Sequence, residues 1–300
     1  MRDGRVLIGM GMATATYPTN CMPASASVRL SPDGSALVRS GTQDIGTGTY
    51  TTKAQVAADE LGLPLERVRV ELGDSRLPPA PVSGGSMTTA SVLPAVRDAA
   101  AKVRDKILDL SKSHGSAAWQ GPDGSVRVAE VMARGGVPFV EATSDQKPDA
   151  EAKQYACHAF GAQFCEVRID VDLRTIKVSR WVGAFDCGTV INEKTARSQL
   201  IGGIVFGIGM ALLEETRVDS ETGRIVNANI ADYLMPVNAD IPEIATIMVG
   251  TPDLVTTPLG VKGIGELPMV GVAAAIANAV YHATGTRVRE LPIRLDKLLA

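Results

Sequence analysis

The chain has 300 residues, 45% of them hydrophobic, 21% charged and 4% aromatic, with a formal net charge of −3. This length and apolar content support one large core or two smaller ones. A slightly acidic balance with few aromatic rings excludes nucleic acid as the expected partner, because phosphate backbones call for basic surface and unpaired bases for stacking platforms.

Val6 to Ala15 is read as a strand leading into the fold. Ala26 to Leu30 alternates apolar and polar residues, turns through Ser31-Pro32-Asp33-Gly34 and resumes as Ser35 to Arg39, which predicts a hairpin. The glycine-bearing loop Gln43-Asp44-Ile45-Gly46-Thr47-Gly48 follows, then a helical pattern from Thr51 to Leu61. A proline run, Pro78 to Val82, leads to Ser83-Gly84-Gly85-Ser86-Met87-Thr88-Thr89-Ala90-Ser91 and a helix expected from Pro94 to Ser113. His114 to Lys153 is polar and is read as the boundary between two units, residues 1–150 and 151–300.

The second half echoes the first. Cys165 to Asp170 and Thr175 to Ser179 predict another hairpin, followed by the loop Phe185-Asp186-Cys187-Gly188 and a helical pattern from Lys194 to Glu215. The expected fold class is therefore α+β, built from two hairpin–loop–helix subdomains with glycine loops at matching ends. Within the second helix, glycines at 202, 203, 207 and 209 each cost about 1 kcal/mol relative to alanine, which calls for close packing against a neighbour or a ligand. Thr216 to Val226 reads as a surface hairpin. Prolines at 236, 242, 252 and 258 punctuate an extended stretch that ends at Gly260-Val261-Lys262-Gly263-Ile264-Gly265-Glu266-Leu267-Pro268.

That last motif sets one carboxylate behind alternating glycines at the mouth of an apolar helix. Glu266 either complements the helix dipole or acts on something bound against the backbone. Four loops of this style, at 44–48, 83–91, 199–209 and 260–266, point to one elongated ligand rich in hydrogen-bonding atoms. No phosphate-loop or complete dinucleotide motif occurs. Cys21, Cys157, Cys165 and Cys187 contain no CxxC pair and the three histidines are scattered, so no protein metal ligand is assigned. The longest uncharged run, Ser198 to Leu213, is shorter than a membrane span, and no membrane partner is expected.

Gln43 to Tyr50, Gly84 to Ser91, Arg197 to Gly203 and Lys262 to Pro268, in this order, resemble the xanthine dehydrogenase/aldehyde oxidase family of molybdenum hydroxylases. The likeness is to the C-terminal half of the molybdopterin-binding subunit and runs over essentially the whole chain. It implies a molybdenum–molybdopterin cofactor, in bacterial members as the cytosine dinucleotide. It also implies hydroxylation of an aldehyde or heteroaromatic carbon with water-derived oxygen. Gly46, Thr47, Gly48, Gly85, Ser86, Met87, Thr88, Gln199, Lys262, Gly263 and Ile264 match cofactor-contacting positions, and Glu266 matches the catalytic base. Thr47 departs from the glutamine often found there. Fe–S and FAD centres are expected only on partner subunits, and the N-terminal half of the molybdenum subunit on a complementary chain. The alternative is a truncated or split-subunit binding or assembly module without independent activity. The expected compartment is the cytoplasm, or the periplasm by co-export with a partner.

Overall fold

The computed structural model describes residues 1–114 and 125–298. It is an α+β fold with two mixed sheets. The first hairpin forms as read: β3 (Ala24–Leu30) pairs antiparallel with β4 (Ala36–Arg39). The chain then runs through α1 (Thr49–Leu61) to β5 (Val68–Glu71), which lies parallel to β4. Helix α2 (Thr88–Ser113) crosses this sheet, and β6 (Val140–Gln146), after α3 (Ser125–Arg134), pairs with β3. The first sheet has the order β5-β4-β3-β6, and its core gathers Val28, Leu30, Val38, Leu61, Val96, Val103 and Ile107.

Two expectations change here. Helix α2 starts six residues before Pro94, so Thr88 to Ser91 form its first turn rather than a loop. Pro94 has no N–H for the carbonyl four residues back, and the Cys21 thiol donates to that Ala90 oxygen at 3.5 Å instead. The polar stretch read as a boundary holds a sheet strand. Val140, Ala142 and Ser144 of β6 are buried at alternate positions while their polar neighbours face outward. Residues 115–124 of that stretch lie outside the described residues.

The second sheet repeats the pattern. β7 (His158–Asp170) pairs antiparallel with β8 (Ile176–Asp186), α4 (Glu193–Leu212) follows, and β9 (Glu243–Val249) lies parallel to β8. Helix α5 (Val272–Thr284) covers this sheet as α2 covers the first. The position beside β7 that corresponds to β6 is filled from the other end of the chain, by β2 (Val6–Pro18), with β1 (Arg2–Asp3) outside it. Strand pairing thus crosses the boundary expected at residue 150.

The strand expected at Val6 to Ala15 is β2, and its glycines have a packing reason. A Cβ on Gly9 would stand 2.0 Å from the Ala279 carbonyl oxygen, and one on Gly11 2.1 Å from that of Ala275. The alanine face of α5 therefore rests directly on strand backbone. Helix α4 uses the same device: a Cβ on Gly207 would meet the Val272 side chain at 2.4 Å. The surface hairpin is reduced to one antiparallel bridge, Val218 to Ile225. Glu193–Leu212 and Leu267–Thr284 are long and apolar enough to cross a membrane by composition, yet Leu200, Ile204, Ile208, Ile276 and Val280 belong to the second core.

Candidate active site

The matched topology puts the loops after β4 and β8 side by side, and a cavity of about 280 Å³ opens between the two units. All four glycine-loop regions reach it. Thr47, Gly85, Ser86, Thr88, Gln199, Lys262, Gly263, Ile264 and Glu266 line it, whereas Gly46, Gly48 and Met87 do not. Gly48 begins α1 in a left-handed conformation, and a Cβ there would stand 2.7 Å from the Thr195 methyl of α4. Met87 is the residue before α2, with its methyl group near Gly85. Gly46 donates its N–H to Asp44 at 2.8 Å, shaping the turn.

Helices α1, α2 and α4 all begin at the cavity wall, through Thr47 and Thr52, Thr88 and Thr89, and Asn192 and Thr195. Neither α1 nor α2 has an acidic residue in its first turn or a side-chain bond from its N-cap residue. The α1 end is already met by the Asp44 carboxylate, which accepts the Tyr50 N–H at 3.3 Å, whereas the α2 end remains available to an anion. Gln199 lines the same space, and its amide makes no side-chain hydrogen bond among the described residues.

Glu266 sits where two units clasp. A Cβ on Gly263 would come 2.4 Å from the Ser86 carbonyl oxygen, so the glycine of this loop admits the Ser86 backbone. Ser86 has φ 54°, a left-handed conformation unusual for a side chain with a Cβ. Its hydroxyl accepts the Glu266 N–H at 2.9 Å and donates to Glu266 Oε2 at 3.1 Å. Tyr17, at the end of β2, donates its hydroxyl to the same Oε2 at 2.6 Å. That bond, then burial and the carboxylate charge, push the Tyr17 phenol up to about 12. Sequence reasoning did not single out Tyr17. It lies 249 positions from Glu266, on a strand with no motif of its own, and only the β2–β7 pairing brings it here.

Lys262 contributes to the wall, but its ammonium turns away from a free position. It is ion-paired with Asp186, stands 3.5 Å from Asp253 Oδ2 and donates to the His158 carbonyl at 3.3 Å. The Lys262 and Asp186 side chains are only 10% and 5% exposed, so their pairing offsets the cost of burying either charge. The pair anchors the Glu266 loop to the end of β8. Among the described residues no group of three or more His, Cys, Asp or Glu is placed to hold a metal ion.

The cavity suits a group that presents anionic and amide-like edges, given the open α2 end and the Gln199 amide that makes no side-chain hydrogen bond among the described residues. Residues 1–242 match the molybdopterin cofactor-binding domain family. The chain is 40% identical over its full length to the aldehyde oxidoreductase molybdenum-binding subunit PaoC of Escherichia coli K12, covering 41% of that protein. It is 30% identical over 99% of its length to the putative xanthine dehydrogenase molybdenum-binding subunit XdhA of the same strain, covering 42%. Among solved structures, carbon monoxide dehydrogenase from Oligotropha carboxidovorans superposes with a TM-score of 0.84 at 26% identity, over 98% of this chain and 40% of that one. Quinoline 2-oxidoreductase from Pseudomonas putida 86 gives 0.84 at 27%, over 98% and 42%. The chain therefore spans about two fifths of the length of these relatives, and it belongs to the molybdopterin cofactor-binding family as a homologue of part of the molybdenum-binding subunits of molybdenum hydroxylases.

Proposed function

We propose that this chain is the catalytic-base-bearing portion of a molybdenum hydroxylase that oxidises an aldehyde. The observation that carries the reading is Glu266, a carboxylate on the wall of a cavity between two units, held by one oxygen and with the other accepting no hydrogen bond among the described residues. Aldehyde and water yield a carboxylic acid, two protons and two electrons; a heteroaromatic carbon would be hydroxylated with the same balance. When bound, the molybdenum–pterin supplies the two-electron redox chemistry. Glu266 takes up a proton released as water-derived oxygen joins the substrate carbon, acting as general base. Thr88, the α2 end and the Gln199 amide bind and orient the pterin and its phosphate, and the loops exclude water.

The cytosine dinucleotide form is favoured by the likeness to PaoC. The electron acceptors are Fe–S and FAD subunits, and the remainder of the molybdenum subunit completes the substrate pocket. An apolar sheet face supports such docking. Met10 and Met12 lie on the face away from α5, Phe164 pairs opposite Met12 on β7, and Phe160 lies two same-face positions further along that strand; all four are exposed. The chain works in the cytoplasm, or in the periplasm if a partner carries it there.

Co-expression with the complementary half, the Fe–S and FAD subunits and cofactor maturation proteins tests this reading. The expected outcome is stoichiometric molybdenum with cytidylate released on hydrolysis, and aldehyde turnover. Glu266→Gln should lower kcat at least about 100-fold with molybdenum content unchanged. Absent molybdenum under these conditions sinks the enzyme reading, and full turnover in Glu266→Gln removes the base role.

A further inference from the structure

The geometry points to Tyr17 and Ser86 as a pair of positioning residues that grip Glu266 by Oε2 and leave Oε1 as the sole proton-accepting atom. The inference rests on the reading of Glu266 as the base. Two hydroxyl donors, Tyr17 at 2.6 Å and Ser86 at 3.1 Å, converge on Oε2. Together they fill the lone-pair positions of that oxygen. Oε1 accepts no hydrogen bond among the described residues and keeps contact with solvent, since it is absent from the sealed, unpaired polar atoms of the fold.

The grip comes from two directions. Tyr17 is held at the end of β2 and does not line the cavity, so it reaches Glu266 from outside the binding space. Ser86 comes from the loop before α2, belonging to the other unit, and its reciprocal bond with the Glu266 N–H fixes backbone and side chain together. Ser86 holds a backbone conformation that L residues avoid, and it does so at the point of contact with Glu266. A carboxylate free to rotate would divide its time among orientations. One pinned by Oε2 presents Oε1 in a single direction, which shortens the search for a reactive geometry.

Both positions can be altered without emptying the core. Tyr17→Phe keeps the ring and removes one donor; Ser86→Gly keeps the left-handed backbone and removes the other. In the assembled, cofactor-loaded enzyme each variant should lower kcat about tenfold, with KM changed less than about twofold and molybdenum content unchanged. A readout independent of turnover uses the chain alone, labelled with ¹³Cζ-tyrosine. The Tyr17 phenol should remain neutral at about pH 11 in the native chain, and ionise at lower pH in Glu266→Gln, where the carboxylate charge is gone. A Tyr17 phenol that titrates at its ordinary value near 10 in the native chain overturns the proposal. So does a Tyr17→Phe enzyme with unchanged kcat while Glu266→Gln is inactive. Retained turnover in Glu266→Gln instead removes the base reading beneath both.

Discussion

Single residues in this molecule show how far burial alters a side chain of ordinary appearance. Lys53 reads in the sequence as a polar position of an amphipathic helix, yet it is 1% exposed. Desolvation pushes its ammonium down from 10.5 to about 7, with the Asp44 carboxylate partly opposing the shift. The sign follows directly. Between about pH 7 and 10.5 the unfolded chain holds the proton that the folded chain has released, so stability rises with pH across that window. Lys53→Met should flatten this rise and stabilise the chain at pH 7 by about 4 kcal/mol, measured by urea unfolding at a series of pH values. Glu266 is the converse case. Its sequence setting already marked it as either a helix-end charge or a catalyst, and the structure supplies the partners that distinguish its two oxygens.

At the scale of elements, the hairpins were legible because alternation and turn chemistry act over neighbouring residues. β3–β4 and β7–β8 pair where the residue pattern placed them. The helix after the second glycine loop was legible for similar reasons, its capping Asn192 accepting the Thr195 N–H at 2.9 Å. The start of α2 was not, because Pro94 reads as a first-turn residue, and the Ala90 carbonyl it leaves free inside the helix is met by Cys21, 69 positions from Ala90. Glycines in β2 and α4 likewise gained their meaning only from the helix or strand that packs on them. Gly11→Ala sets a methyl group against the α5 backbone, which cannot retreat without lifting off the sheet. A loss of about 3 kcal/mol in unfolding free energy is expected; a loss below about 0.5 kcal/mol would show that α5 moves freely over β2.

At the scale of the whole molecule, two topologically matched units meet around one cavity, and side-chain hydrogen bonds join them. The Asn192 amide donates to Gln55 of α1 at 2.9 Å while its oxygen caps α4. Asn192→Ala should therefore cost about 1 kcal/mol in thermal unfolding and also lower molybdenum retention in the assembled enzyme. Unchanged retention would show that this bridge does not set the spacing of the cavity walls. The sequence by itself determined the α+β class, the hairpins, most of the helices and the four loops that belong together, because those features are encoded by local periodicity, turn residues and motif order. Only the tertiary structure decided that β2 completes the second sheet, that Tyr17 reaches Glu266, that Lys262 is committed to Asp186, and that the glycine of the last loop makes room for Ser86. Those contacts join residues 76 to 249 positions apart, and no local pattern specifies which distant backbone will be brought within bonding distance.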